Sequence, residues 1–192
     1  RYVFLERFPN LQELDLSGND ICHAEAVSLQ PVLNGSQHLR VLDISANELG
    51  GSGLAALKLQ SCDQLRTLRL ASIGLGDNGT IQLATVLHGV SALEELDLSS
   101  NSIGERGITT VSQALRNLTS LRNLSLAGNP IGPSAADVLG KVFSALVNLR
   151  SLDLSGTHVG ALVMRAIAGL TKLMHLNLGS CGLDGARFDE LG

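Results

Sequence analysis

The chain has 192 residues, of which 44% are hydrophobic and 17% charged, with a formal net charge of −4. That is enough apolar material for one sizeable core, and the chain reads as a single domain over residues 1–192. The acidic balance argues against nucleic acid, which recruits a basic face, and no apolar run reaches the roughly 18 residues that crossing a membrane requires.

Taken in order, residues 1–8 (RYVFLERF) carry acid and lack the small-residue cleavage site of a signal sequence; they read as the tail of an outer helix from a preceding repeat. An apolar hexad then opens at Leu11/Leu14/Leu16. It returns at Leu39/Leu42/Ile44, Leu65/Leu68/Leu70, Leu93/Leu96/Leu98, Leu121/Leu124/Leu126, Leu149/Leu152/Leu154 and Leu173/Leu176/Leu178. The first leucines are 28, 26, 28, 28, 28 and 24 residues apart. Each central L-x-L has period two, so it predicts a short strand with leucines on one face and the flanking residues on the other. Another aliphatic side chain follows at a fixed offset in every copy: Ile21, Leu49, Leu75, Ile103, Ile131, Val159 and Leu183. Between them, Asn19, Asn47, Asn101 and Asn129 stand where the chain leaves the strand, and an amide there can satisfy backbone groups left unpaired by the turn. Thr157 and Cys181 replace it in two copies. Ile73, with no polar atom, replaces it in the third and predicts an irregular turn there.

The second half of each copy changes period. Gly79/Leu83/Leu87/Val90 and Gly107/Val111/Leu115/Leu118 follow helical spacing, so a helix returns the chain along an outer face. The copies of 26 and 24 residues have less room for it, which predicts shortened helices and local changes in curvature near residues 58–63 and 163–169.

This pattern resembles the leucine-rich repeat, and copies of about 28 residues with helical outer segments are similar to its ribonuclease-inhibitor-like class. The resemblance implies an α/β fold: a right-handed solenoid, or horseshoe, of about seven repeats with a parallel sheet on the concave face and helices on the convex face. Stacking would bury each leucine for roughly 1.5–3 kcal/mol. Neither end shows the polar cap of a terminal repeat; residues 188–192 read as the start of another outer helix. The expectation is a segment of a longer solenoid.

Signals for chemistry are weak. Residues 51–56 (GSGLAA) match a dinucleotide fingerprint, but glycines recur at these offsets elsewhere, as Gly104 and Gly107 show. The five histidines occupy different repeat offsets and cannot converge, and the pair Cys22 and His23 falls short of a zinc site. No catalytic residue, cofactor or metal is expected.

The outward positions of the strands form three rows. The middle row is Asp15, Asp43, Arg69, Asp97, Ser125, Asp153 and Asn177; the row before it is Glu13, Val41, Thr67, Glu95, Asn123, Ser151 and His175. The row after it (Ser17, Ser45, Ala71, Ser99, Ala127, Ser155, Gly179) is small and bland. The candidate partner-binding residues are Glu13, Asp15, Asp43, Arg69, Glu95, Asp97, Asn123, Asp153, His175 and Asn177, an acidic strip suited to a basic protein. Arg69 is expected to relieve repulsion between Asp43 and Asp97. No aromatic anchor lies on the rows. A further row, Arg40, Arg66, Arg122 and Arg150 interrupted by Glu94, reads as a solvated basic flank, with binding to acidic groups as its alternative.

The resemblance implies a protein-binding module or scaffold within a larger receptor or regulator, as in the sensing regions of NOD-like receptors, tropomodulin and the capping-protein regulators. Ran GTPase-activating protein has the same repeat class and supplies an alternative, although its threonine-glycine-arginine segment and acidic tail are not visible. A rigid spacer or dimerisation surface is the third reading. Three cysteines are too few for the disulfide caps of secreted repeat proteins, so an intracellular, cytoplasmic location is expected. The four sequons at Asn34, Asn78, Asn117 and Asn123 reflect the asparagine content of the turns.

Overall fold

The structure, a computed structural model, describes residues 8–160 and 163–183. The helix ends expected at residues 1–8 and 188–192 lie outside these, apart from Phe8.

Each L-x-L forms a three-residue strand: β1 Glu13–Asp15, β2 Val41–Asp43, β3 Thr67–Arg69, β4 Glu95–Asp97, β5 Asn123–Ser125, β6 Ser151–Asp153 and β7 His175–Asn177. The strands pair in sequence order as one parallel sheet. Its register sets Leu14, Leu42, Leu68, Leu96, Leu124, Leu152 and Leu176 side by side. From Leu42 to Leu152 these leucines are at most 2% exposed, whereas Leu176 on the last strand is 42% exposed. Leu14, on the first strand, lies between these values at 8%, so burial is most complete where a copy stacks on both sides.

Among the described residues six helices return the chain: α1 His23–Gly35, α2 Gly50–Ala56, α3 Gly76–Gly89, α4 Glu105–Arg116, α5 Ala136–Ala145 and α6 Val163–Ile167. Each packs on the next, and both helical series read from the sequence, Gly79 to Val90 and Gly107 to Leu118, are buried. Among the described residues the two short copies carry the two shortest helices: α2 has 7 residues, followed by a 3-10 turn at Leu59–Ser61, and α6 has 5. The chain is therefore an α/β leucine-ladder solenoid of seven repeats.

Every strand is ended by the same backbone device. Gly18, Ala46, Ser72, Ser100, Gly128, Gly156 and Ser180 all hold φ between +53° and +67°. A left-handed conformation costs a side-chain-bearing residue roughly 1–2 kcal/mol, against about 0.5–1 for the freedom glycine loses on folding. Ala46→Gly is thus expected to stabilise the fold by about 0.5–1 kcal/mol and Gly128→Ala to destabilise it by at least as much. Urea unfolding of the two variants checks the pair of signs.

Beyond that residue the asparagines join successive repeats. Asn47 Oδ1 accepts the N–H groups of Asn19 at 3.0 Å and Ile21 at 2.8 Å. Asn129 Oδ1 does the same for Asn101 and Ile103, both at 3.0 Å. Asn101 serves Ile73 and Leu75 at 3.0 and 3.4 Å. Their Nδ2 atoms donate to the strand-end carbonyls of their own and the preceding copy, as Asn129 does to Leu126 and Leu98.

The turn at Ile73 corrects the sequence reading. Its backbone keeps the course of its neighbours, with Ser72 left-handed and Ile73 fully buried. The change lies in bonding, because an isoleucine offers no oxygen to the N–H groups of Asn47 and Leu49, which stand where the amide serves other copies. Backbone bonds still cross this link, with the Gly50 N–H donating to the Ile73 carbonyl and the Ala46 N–H to the Ala71 carbonyl, both at 2.7 Å, and apolar burial of Ile73 takes the place of the amide bonds alone. Where Thr157 stands in place of asparagine, the turn closes on itself: Ile131 donates its N–H to the Asn129 carbonyl at 2.7 Å.

Candidate interaction surface

Leucine burial on one side of the sheet forces the alternate side chains out on the other, so the register assembles the three rows. Asp15, Asp43, Arg69 and Asp97 are neighbours across β1 to β4, and Asp153 pairs with Asn177 across β6 and β7. Glu13, Asp15, Asn123, His175 and Asn177 are exposed; Asp43, Arg69, Glu95, Asp97 and Asp153 are half-buried. All ten candidate residues therefore lie on one strand face.

The aspartates have a local duty that the sequence reading missed. Oδ1 of Asp15, Asp43, Asp97 and Asp153 accepts the N–H two residues on, from Ser17, Ser45, Ser99 and Ser155, at 2.8–2.9 Å. Each is an Asx-turn that closes the strand exit. The D-x-S spacing in four copies was the available signal. Asn177 closes the seventh turn with its amide oxygen, 3.1 Å from the Gly179 nitrogen, so the turn needs the oxygen and not the charge. The Ser17 N–H, then the Ser17 hydroxyl and the charge of Arg69, hold the Asp15 carboxyl below the usual carboxylate range. A depressed carboxylate stabilises the fold above its unfolded pKa, and that contribution is lost as pH falls through the folded value.

Arg69 is aimed differently from expectation. Its Nε donates to Glu95 Oε1 at 2.8 Å and its Nη1 lies 3.8 Å from Asp43 Oδ2, while Asp97 acts only through space. Hydrogen bonding to Glu95 raises the guanidinium pKa further. The reason is reach: a long side chain in one row finds the neighbouring row of the next strand. Arg69→Asp would set a fourth carboxylate beside Asp43, Glu95 and Asp97. It is expected to cost about 1–2 kcal/mol at low salt and distinctly less at 1 M salt, where the screening length is about 3 Å. Equal losses at the two salts in a denaturant titration would contradict this reading.

A family model described as a leucine-rich repeat matches residues 9–21, 35–58, 91–112, 117–140 and 145–168. The chain belongs to the leucine-rich repeat family. In this repeat chain the unmatched residues 59–90 span the copy in which Ile73 replaces asparagine. Internalin C2 from Listeria monocytogenes is similar in structure, with 24% sequence identity and a TM-score of 0.66, covering 92% of this chain. That likeness shows the fold, and this chain spans 65% of the length of that one. No curated protein sequence matches it.

Repeat packing also accounts for the glycine motif, and a local cap accounts for Cys22. A Cβ on Gly51 would lie 2.6 Å from Gly79 Cα, so the glycine at the start of the apparent fingerprint is where α2 and α3 touch. Cys22 caps α1, with its thiol 2.6 Å from Glu25 Oε2. Asp77 is a further residue that the sequence reading passed over. From the first turn of α3, its Oδ1 accepts the N–H groups of Gly104 at 2.7 Å and Gly107 at 2.9 Å, capping the next helix, α4.

Proposed function

We propose that the chain is a protein-interaction module that takes a basic segment of a partner on its strand face. The observation that carries this is the division of labour within the aspartates. One carboxylate oxygen holds the turn, and among the described residues no hydrogen bond or ion pair occupies Oδ2 of Asp15 or Asp97, or either oxygen of Glu13. Negative charge on this face therefore exceeds what the fold uses. Asn123, Asp153, His175 and Asn177 extend the same face with polar groups for a longer partner segment. The finer setting we propose, a module of an intracellular receptor or regulator, rests on the family resemblance and on three cysteines that are all free, two of them buried.

The test uses Glu13→Gln/Asp15→Asn/Asp97→Asn, in which the two asparagine amides retain the turn oxygens and only charge is removed. Wild-type protein should capture a basic partner from lysate at low salt, and the variant should lose it while melting within a few degrees of wild type. Retention of the same partner by the variant would move binding to the helices or flanks.

A further inference from the structure

A different edge of the fold carries the opposite charge. Just before the strands, the chain runs through two rows of side chains, one on each side of the first leucine of each copy. Between the fourth and seventh copies Glu94, Ser120, Arg122, Asn148, Arg150 and Lys172 line a recess of about 250 Å³. Three cations face one carboxylate there. Glu94 is already engaged, its Oε2 3.0 Å from Arg122 Nε. Among the described residues Arg150 has no carboxylate partner. Lys172 Nζ donates to Asn148 Oδ1 at 2.7 Å, and the Asn148 amide is itself held by donation from its Nδ2 to the Thr119 carbonyl at 3.0 Å. The recess thus holds two cations without a carboxylate partner among the described residues, Arg150 and Lys172, the latter positioned by an amide fixed to the backbone, beside the Ser120 hydroxyl.

Two exposed apolar side chains adjoin this charge. Met174, 70% exposed, continues the row beyond Arg150, to whose carbonyl its N–H is bonded at 2.8 Å; Val147, 59% exposed, immediately precedes Asn148. A free anion would use the cations and leave these uncovered. We propose that the recess binds the phosphoryl group of a phosphorylated peptide, with apolar side chains of the peptide on Met174 and Val147. Arg150 and Lys172 make charge-assisted hydrogen bonds to its oxygens, and the guanidinium geometry of Arg150 admits two at once. Arg122 is shared with Glu94, which sets a repulsive limit on affinity. This site is independent of the strand-face reading above.

The experiment is calorimetric titration of the chain at low ionic strength with a short phosphoserine peptide carrying leucine on either side of the phosphoserine, its unphosphorylated form, and inorganic phosphate. The phosphopeptide should bind about tenfold or more tightly than inorganic phosphate, and the unphosphorylated peptide should not bind measurably. Arg150→Gln/Lys172→Gln should weaken phosphopeptide binding by about tenfold or more, while Arg40→Gln, on the same row but outside the recess, should leave it within about twofold. Glu94→Gln should tighten it severalfold, a gain that damage to the fold cannot imitate. Absence of phosphopeptide binding, equal weakening by Arg40→Gln, or no gain from Glu94→Gln would overturn the proposal. Inorganic phosphate binding as tightly as the peptide would overturn the peptide as the occupant.

Discussion

Asn129→Ala is expected to destabilise the chain by about 3–4 kcal/mol, among the largest losses available to a single polar substitution here. Its side chain is fully buried and bonds five backbone groups, accepting from Asn101 and Ile103 and donating to Leu98, Leu126 and Ala127. Truncation removes both the donor and the acceptor while the copies remain stacked, so the freed N–H groups stay in a dry interior. The comparison is Asn19→Ala at the same offset. Asn19 is exposed and its side chain makes one hydrogen bond, to the Ser17 carbonyl at 2.9 Å, so its loss should stay below about 1 kcal/mol. Chemical denaturation of both variants checks the contrast; similar losses would mean that the ladder of amides is not what joins the repeats.

Leu96→Ala carries the second large effect, about 3–4 kcal/mol. Leu96 is 1% exposed, flanked in register by Leu68 and Leu124, and the strands on both sides hold their spacing through backbone hydrogen bonds. The cavity therefore has little freedom to collapse. Leu176→Ala removes the same atoms from a residue 42% exposed and should cost only about 1 kcal/mol. A solenoid makes this prediction sharply, because burial depends on nearest-neighbour copies and not on a common centre. Equal losses at the two positions, measured by thermal or urea unfolding, would count against it.

The same one-dimensional logic explains what could be read in advance. The strand register, the buried face, and the shortened α2 and α6 follow from leucine spacing alone, because a fixed period leaves few ways to stack. The asparagine offset was equally legible, down to its bonding role. The turn at Ile73 departs from the expectation because loss of the amide changes the bonding and not the backbone, which the left-handed Ser72 and the burial of the isoleucine hold. On the strand face, the ten candidate residues were placed together by period two. What each does there depended on distances that a repeat pattern does not encode. Arg69 stands between Asp43 and Asp97 in register, but its hydrogen bond goes diagonally to Glu95, and the aspartates spend one oxygen on their own turns. Lys172 carries no legible signal, because its row, one place before the first leucine, holds Asn148, Ser120 and Ala92 in the preceding copies and shows no charge pattern.

The strand face is the centre of the functional account, and the footprint of a captured partner tests it most directly. Amide hydrogen exchange would be followed on the complex and on the free chain. Protection confined to β1 to β4 and to the Asx-turns at Asp15, Asp43 and Asp97 is the predicted result. Protection on the outer faces of α3 and α4 with the strand turns unchanged would contradict it.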